Sequence, residues 1–227
     1  MCNALVASPV AKLYVVRHAR AVAPDDLRLP GLNPALRPEG WREARALAAR
    51  LRSIYPMMVW TSDARRAQQT GEVIAEQCGI PLQVLPALRE VDFGAWAGRT
   101  FAEVVADDPV AAAYFTDPTS TVPPGGESAA SAANRVLTAL QSLVGPERSG
   151  VVVVGHAGSL RLALAHALGM PLAAYWRFHL DYAGLSVLAW TSDGPVVEQL
   201  NDTAHLQNDR WSSEWSEGRG VLPGCAS

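Results

Sequence analysis

Cysteine, net charge and long apolar runs are all in short supply in this 227-residue sequence. The three cysteines, Cys2, Cys78 and Cys225, are too widely spaced for a disulfide framework or a zinc site, which points to a reducing compartment, the cytoplasm. A formal net charge of −3 lacks the basic excess of a generic nucleic-acid or membrane-surface binder. Any anion must therefore be held by a local cluster of cations. No uninterrupted apolar run approaches the ~20 residues of a membrane span. Met1 to Ala11 has no basic stretch ahead of its apolar residues, so a secretory signal is not expected. Internal repeats are absent too.

What is present is apolar enough, at 49% hydrophobic residues, for a sizeable core. A single domain over 1–227 is expected, with its core at about 12–206, an insertion at about 86–126 and an irregular tail at 207–227. Lys12 to Val16 reads as a buried strand and Ala19 to Pro38 as a loop. Glu39 to Ile54 is helical, with Trp41, Ala44, Leu47, Leu51 and Ile54 on one face. Met57 to Trp60 and Leu82 to Leu85 are further strands, flanking a helix from Ala64 to Gln77 that Gly79 and Pro81 end. Strands and helices alternating at this spacing predict a parallel sheet covered by helices. The insertion contains one helical stretch, Thr100 to Tyr114, and stands over one end of the sheet. Beyond it come a helix from Glu127 to Val144, burying Ala130, Ala133, Leu137 and Leu140, the strand Val151 to Val154, and a helix from Gly158 to Leu168. Leu185 to Trp190 and Pro195 to Leu200 form a hairpin around Ser192–Asp193–Gly194.

Histidine is scarce as well, five in the chain, yet two occupy equivalent places. His18 follows the first strand through Arg17, and His156 follows the strand Val151 to Val154 through Gly155. Ligands of open parallel sheets bind at the carboxyl ends of strands. If these strands are neighbours, both imidazoles face one crevice. His156 also precedes a helix whose first amides favour an anion. Either histidine alone is more readily a satisfied, partly buried side chain; the pair beside Arg17 points to an anion site. His166, His179 and His205 are read as structural. Thr61–Ser62–Asp63–Ala64–Arg65–Arg66–Ala67 joins the second strand to the second helix. An arginine there could reach the same sheet end and grip phosphate oxygens in bidentate fashion, or simply line a solvated helix face. Ser62 or Asp63 suits the N-cap. Glu90 could donate a proton to a leaving oxygen; Asp92 competes for that role, and spacing does not choose between them.

Taken together, Arg17–His18, Ser62 to Thr70, Leu88–Arg89–Glu90–Val91–Asp92–Phe93–Gly94, Gly125–Gly126–Glu127–Ser128 and Gly155–His156–Ala157–Gly158 are, in order and spacing, similar to the histidine phosphatase (phosphoglycerate-mutase-like) superfamily. The resemblance runs from about Lys12 to Leu206. It implies an α/β fold, a three-layer α/β/α sandwich whose mostly parallel sheet has an antiparallel edge strand and an insertion over the active site. It implies that His18 is the nucleophile, Glu90 the proton donor and His156 a further catalytic group. Arg17, Arg66 and the Ala157 position would bind the phosphoryl group, with Arg66 rather than Arg65 matching the family's Ser-x-x-x-Arg-Ala pattern. No cofactor and no metal are implied, because two guanidiniums and a second imidazole can neutralise the phosphoryl oxygens, and a neutral imidazole is a usable nucleophile.

The family usually reads Arg-His-Gly, whereas Ala19 stands here, a cost if that position needs a positive φ. Ala21 and Pro24 replace the threonine and asparagine of many members, removing polar groups from the rim. Within Phe93 to Ser128 the only basic residue is Arg99, which favours hydrolysis over a mutase-type phosphotransfer that must hold a bisphosphate. Tyr175 to Asp181, Leu185 to Leu188 and Leu200 to Leu206 are similar to α-ribazole phosphatases and broad-specificity acid phosphatases. The expectation is a cytoplasmic phosphomonoesterase, monomer or homodimer, acting on a small organic phosphate such as α-ribazole 5′-phosphate, with no nucleic-acid or membrane partner. Trp96, Phe101 and Tyr114 either form an apolar rim for that substrate or pack the insertion's own core. The alternatives are a phosphoglycerate-mutase-type phosphotransferase, a catalytically silent phosphate-binding module that Ala19 invites, and a metal hydrolase ligated by His18, His156 and an acid. The arginines nearby disfavour the last.

Overall fold

Alternation along the first strand divides the interior in two. In β1 (Ala11–Arg17), Leu13 and Val15 point to one side of the sheet, Tyr14 and Val16 to the other. The second side is covered by α1 (Pro38–Arg52) and α2 (Arg65–Cys78), which contribute Ala44, Leu47, Leu51, Val73 and Ile74. The first is covered by α5 (Ala129–Ser142) and α6 (Ala157–Ala167), through Val136, Leu140, Leu160 and Leu164. This is the three-layer α/β/α arrangement. The computed structural model describes residues 11–22, 29–31, 33–145 and 150–206. The expectations for the N-terminal segment, Pro24 and the tail at 207–227 lie outside the described residues.

The sheet has six strands in the order β3-β2-β4-β1-β5-β6, where β2 is Met58–Thr61, β3 Leu82–Val84, β4 Val151–Gly155, β5 Leu185–Thr191 and β6 Gly194–Asp202. The first four strands pair in parallel; β5 runs antiparallel to β1, and the edge strand β6 pairs antiparallel with β5. The chain leaves β1 for β2, two places away, and returns later to fill the gap with β4. β1 and β4 are thus neighbours, registered so that Arg17 stands beside Gly155. That register brings the ends of two strands far apart in sequence to one crevice.

Three expectations need correction. The insertion forms two short helices, α3 (Phe101–Asp107) and α4 (Ala111–Thr116), rather than one. Pro109 disfavours helical backbone in the residue before it, and Asp108 is extended, at φ −132° and ψ 98°. The buried face of α5 is Ala129, Ala132, Ala133, Val136, Ala139 and Leu140, with Ala130 exposed and Leu137 only half-buried. Ser128 caps that helix by accepting from the Ser131 N–H, and its small-residue face packs on α6. Ile54 lies beyond the end of α1 and is exposed.

Trp96 and Tyr114 are buried in a third core, shared by the insertion, α5 and α6. They pack the insertion and are not its rim. The proline-rich turn before α5 is laced to the Glu90–Ala95 loop by the Ala95 N–H to Pro124 O bond (2.8 Å) and the Glu127 N–H to Asp92 O bond (3.0 Å). Gly94 and Gly126 permit that approach: a Cβ on Gly126 would lie 2.4 Å from Asp92 O, and one on Gly94 2.2 Å from Pro124 O. Among the described residues no helix is long and apolar enough to cross a membrane.

Candidate active site

Both histidines emerge at the carboxyl ends of β1 and β4, their ring centroids 5.1 Å apart, and both are buried. The His18 Nδ1 lies 2.8 Å from Ala19 O. A carbonyl oxygen only accepts, so Nδ1 carries the proton and donates it. The other nitrogen, Nε2, keeps its lone pair and accepts from Arg66 Nε at 3.0 Å. His156 is held in the opposite tautomer. Its Nδ1 accepts from Arg66 Nη2 at 3.1 Å, so its Nε2–H donates to Ser62 Oγ at 2.7 Å. One buried guanidinium therefore faces the lone pairs of two imidazoles.

That arrangement keeps both rings neutral. Burial, first of all, holds the His18 pKa well below its ordinary value of 6.5, with further depression from His156, Arg66 and Arg17. Burial does the same to His156, helped by Arg66, Arg17 and Arg135. On unfolding both return to ordinary histidine behaviour. The unfolded chain then binds protons that the folded chain excludes, so stability falls as pH drops from about 6.5 towards the depressed folded values. Above about 6.5 neither ring contributes. The expected slope is about 1.4 kcal/mol per pH unit per histidine, and the half-buried His205, lowered by its partial burial, adds in the same direction with a smaller weight. Thermal melts from pH 8 to 5 should steepen below about 6.5, and a His18→Asn variant should show a shallower decline. An unchanged slope would remove His18 from the set of buried neutral rings.

Arg17 completes the cationic wall. Its Nη1 donates to Leu180 O at 2.7 Å and its guanidinium lies 3.5 Å over the Tyr182 ring. Its Nε is buried with no partner among the described residues, a donor left for an anion. The Ala157 N–H, at the first position of α6, has no intrahelical acceptor and is a further donor. The next two amides of the helix are taken: Gly158 N–H donates to Glu90 Oε2 at 3.1 Å and Ser159 N–H to Glu90 Oε1 at 2.7 Å. The anion on most of this helix terminus is the chain's own carboxylate. Gly158 lets it sit there, since a Cβ would lie 2.8 Å from Glu90 Oε1.

Glu90 borders the cavity of about 350 Å³ that also contains His18, Arg17, Arg66 and Ala157. Asp92 borders only the cavity next to it, and its carboxylate caps the Gly94 N–H instead. Arg135 fixes the Glu90 loop by donating to the carbonyls of Ala87 (2.8 Å) and Arg89 (3.0 Å) and pairing with Glu127. Among the described residues no group of three His, Cys, Asp or Glu side chains is placed to hold a metal ion.

Six sequence-predicted residues therefore meet: Arg17, His18, Arg66, Glu90, His156 and the Ala157 amide. Neither Ser62 nor Asp63 is the N-cap of α2. That helix begins one residue later with Ala64 as its cap, because Ser62 is bound to His156 and Asp63 pairs with Arg89. Ala19 is not among the residues with positive φ, so the missing glycine costs nothing; its N–H donates to Thr70 Oγ1 at 3.0 Å. Sequence reasoning missed Thr70, Tyr182 and Arg161. The last was detectable, because a residue four beyond Ala157 shares its helix face. The aromatic wall of the cavity is Phe93, Phe115, Tyr175, Trp176 and Tyr182, and it includes none of the three aromatics expected.

A family model described as the histidine phosphatase superfamily (branch 1) matches residues 13–203. A bifunctional protein of Mycobacterium tuberculosis is 35% identical over 199 residues, 86% of this chain, and the chain spans about half (55%) of that relative. A probable phosphoglycerate mutase GpmB of Yersinia enterocolitica is 31% identical over 203 residues, covering 86% of this chain and 94% of the relative. Among solved structures, a mycobacterial glucosyl-3-phosphoglycerate phosphatase complexed with VO3 superposes with a TM-score of 0.75 at 30% identity, over 85% of this chain and 100% of that one.

Proposed function

This chain belongs to the histidine phosphatase superfamily, branch 1, and we propose that it hydrolyses a small organic phosphomonoester through a phosphohistidine on His18. The observation that carries the reading is the His18 tautomer: the proton is held on Nδ1 by Ala19 O, leaving the Nε2 lone pair at the cavity among Arg17, Arg66 and the Ala157 amide. A phosphoryl group entering there draws Arg66 off Nε2 onto its own oxygens. The lone pair attacks phosphorus, the ester P–O bond breaks, and the leaving oxygen takes its proton from Glu90, which acquires that proton from solvent when the incoming dianion displaces it from the α6 amides. Glu90, now a carboxylate, takes a proton from water as that oxygen attacks phosphorus. The P–N bond breaks and His18 is restored. His156 orients Arg66 in the empty site and, once protonated against the bound dianion, becomes a third donor to it. Positioning and charge neutralisation are the main demands of such a transfer.

Hydrolysis is favoured over mutase-type transfer because the insertion's one basic residue is committed elsewhere. Arg99 donates to Glu103 O and pairs with Asp107, and it is not part of the cavity wall. The unstrained Ala19 backbone argues against a silent binding module. The aromatic wall suits a substrate with an apolar portion, α-ribazole 5′-phosphate being one candidate, handled in the cytoplasm and without a metal.

The test is release of phosphate from p-nitrophenyl phosphate in excess chelator, with acid quenching to trap the phosphoenzyme. Chelator-resistant turnover and an acid-labile phosphate on the His18 peptide are expected. Collapse of activity on chelation, or turnover with no phosphoenzyme, would overturn the route.

A further inference from the structure

Arg17 is held by one short loop, residues 180–184, that lies just ahead of β5. Leu180 O accepts from Arg17 Nη1 at 2.7 Å, and the Tyr182 ring centroid lies 3.5 Å from the Arg17 Cζ. The backbone is gripped as well: Ala183 N–H donates to Arg17 O at 3.1 Å, and Arg17 N–H donates to Gly184 O at 3.4 Å. The loop carries strain. Ala183 is fully buried at φ 53°, in the left-handed region that a residue with a Cβ enters at a cost. Asn201 of β6, itself at φ 52°, ties the loop down: its Oδ1 accepts from Asp181 N–H at 2.7 Å and its Nδ2 donates to the Asp181 carboxylate at 2.8 Å. His205 Nε2–H adds a bond to Ala183 O at 3.0 Å. Two of the three non-glycine residues with positive φ among the described residues thus serve the loop that presents Tyr182. Backbone strain persists only where the surroundings enforce it, and it gathers at functional sites.

We infer, on the phosphatase reading above, that Tyr182 is a positioning residue: its ring fixes the plane of the Arg17 guanidinium and so acts on the phosphoryl group rather than on the organic part of the substrate. A ring suits that task better than a carboxylate would. A carboxylate holds a guanidinium firmly but cancels the charge that an incoming dianion needs. A π face and a carbonyl oxygen fix the group and leave its charge in place. Asp181, the carboxylate on which Arg17 acts, is bonded instead to Asn201 Nδ2 and to His179 Nε2, the latter at 3.1 Å. The buried Arg17 Nε, without a partner among the described residues, is thereby kept for the site. Tyr182 has other neighbours. Its ring centroid is 5.6 Å from that of His18 and 5.1 Å from the Cζ of Arg20, a residue that pairs with Glu43. Its phenol oxygen is within electrostatic reach of Arg66. Ring and hydroxyl must therefore be tested apart.

Inorganic phosphate and orthovanadate have no organic part, so calorimetric titration with them reads the phosphoryl pocket alone. Tyr182→Leu is expected to weaken both by about tenfold, the scale of a desolvated cation–π contact, and to lower kcat/KM for p-nitrophenyl phosphate by a similar factor. Tyr182→Phe keeps the π face and should stay within about twofold of the unaltered protein. In an Arg17→Met background, Tyr182→Leu should cost less than about a further twofold, because the cation that the ring positions is gone. Should Tyr182→Leu not fold, Tyr182→Met fills similar space without a π face. Unchanged anion affinity in the Leu variant, with a raised KM for p-nitrophenyl phosphate, would make the ring a wall for the substrate's organic part and overturn the assignment. A Phe variant as weak as the Leu variant would overturn it too, and so would an equal loss in the absence of Arg17. The two readings fail separately. Anion binding that depends on the ring, in a protein that does not turn over p-nitrophenyl phosphate, would sink the phosphatase and leave the clamp on Arg17 standing.

Discussion

Replacing His18 with alanine is expected to lower phosphate release by on the order of 10⁴-fold or more and to abolish the trapped phosphoenzyme. Among the described residues, no other group in the cavity is placed to substitute for it. His156 is the nearest imidazole, but its Nδ1 lone pair faces Arg66 and its Nε2–H is given to Ser62. Glu90 is tied to the amides of Gly158 and Ser159. The remaining rate would come from electrostatic stabilisation of a direct attack by water. Steady-state assays of wild type and variant side by side, with acid-quenched labelling, decide the matter. Residual turnover within a hundredfold of wild type would take the nucleophile's role from His18.

The second large effect is expected at Arg66. Arg66→Lys should lower kcat/KM by about 10²- to 10³-fold even though the charge is kept. The guanidinium reaches two imidazoles at once, from Nε to His18 and from Nη2 to His156. An ammonium is a point charge on a flexible stem and cannot hold both lines. Because Arg66 and His156 work through one hydrogen bond, their losses should not add: Arg66→Lys in a His156→Asn background should cost much less than it does alone. Strict additivity of the two substitutions would show that His156 does not act through Arg66.

The legibility of this protein differs from residue to residue. The four parallel strands, β5 and the helices α1, α2, α5 and α6 were readable because each follows from a local period, and their bounds moved by only a few residues. The insertion was less readable. Pro109 splits its helix, and whether Trp96 and Tyr114 faced substrate or core depended on α5 and α6, which come later in the chain. Ser62 shows the same limit. As an isolated serine before a helix it suited a cap, but a histidine 94 residues away claims its hydroxyl.

By itself the sequence determined that His18 and His156 each end a buried strand, that an arginine-bearing turn precedes α2, and that five ordered motifs mark one phosphatase family. Those properties are local, set by hydrophobic alternation and by which residue follows it. Only the tertiary structure decided which imidazole nitrogen keeps its lone pair, that Glu90 rather than Asp92 reaches the cavity, and that Arg161 lines the same cavity. Each is settled by partners brought in from other elements: Arg66 lies 48 positions from His18, and Gly158 lies 68 from Glu90. A hydrogen bond is a relation between groups in space, and the order of residues along the chain does not contain it until the sheet sets β4 beside β1.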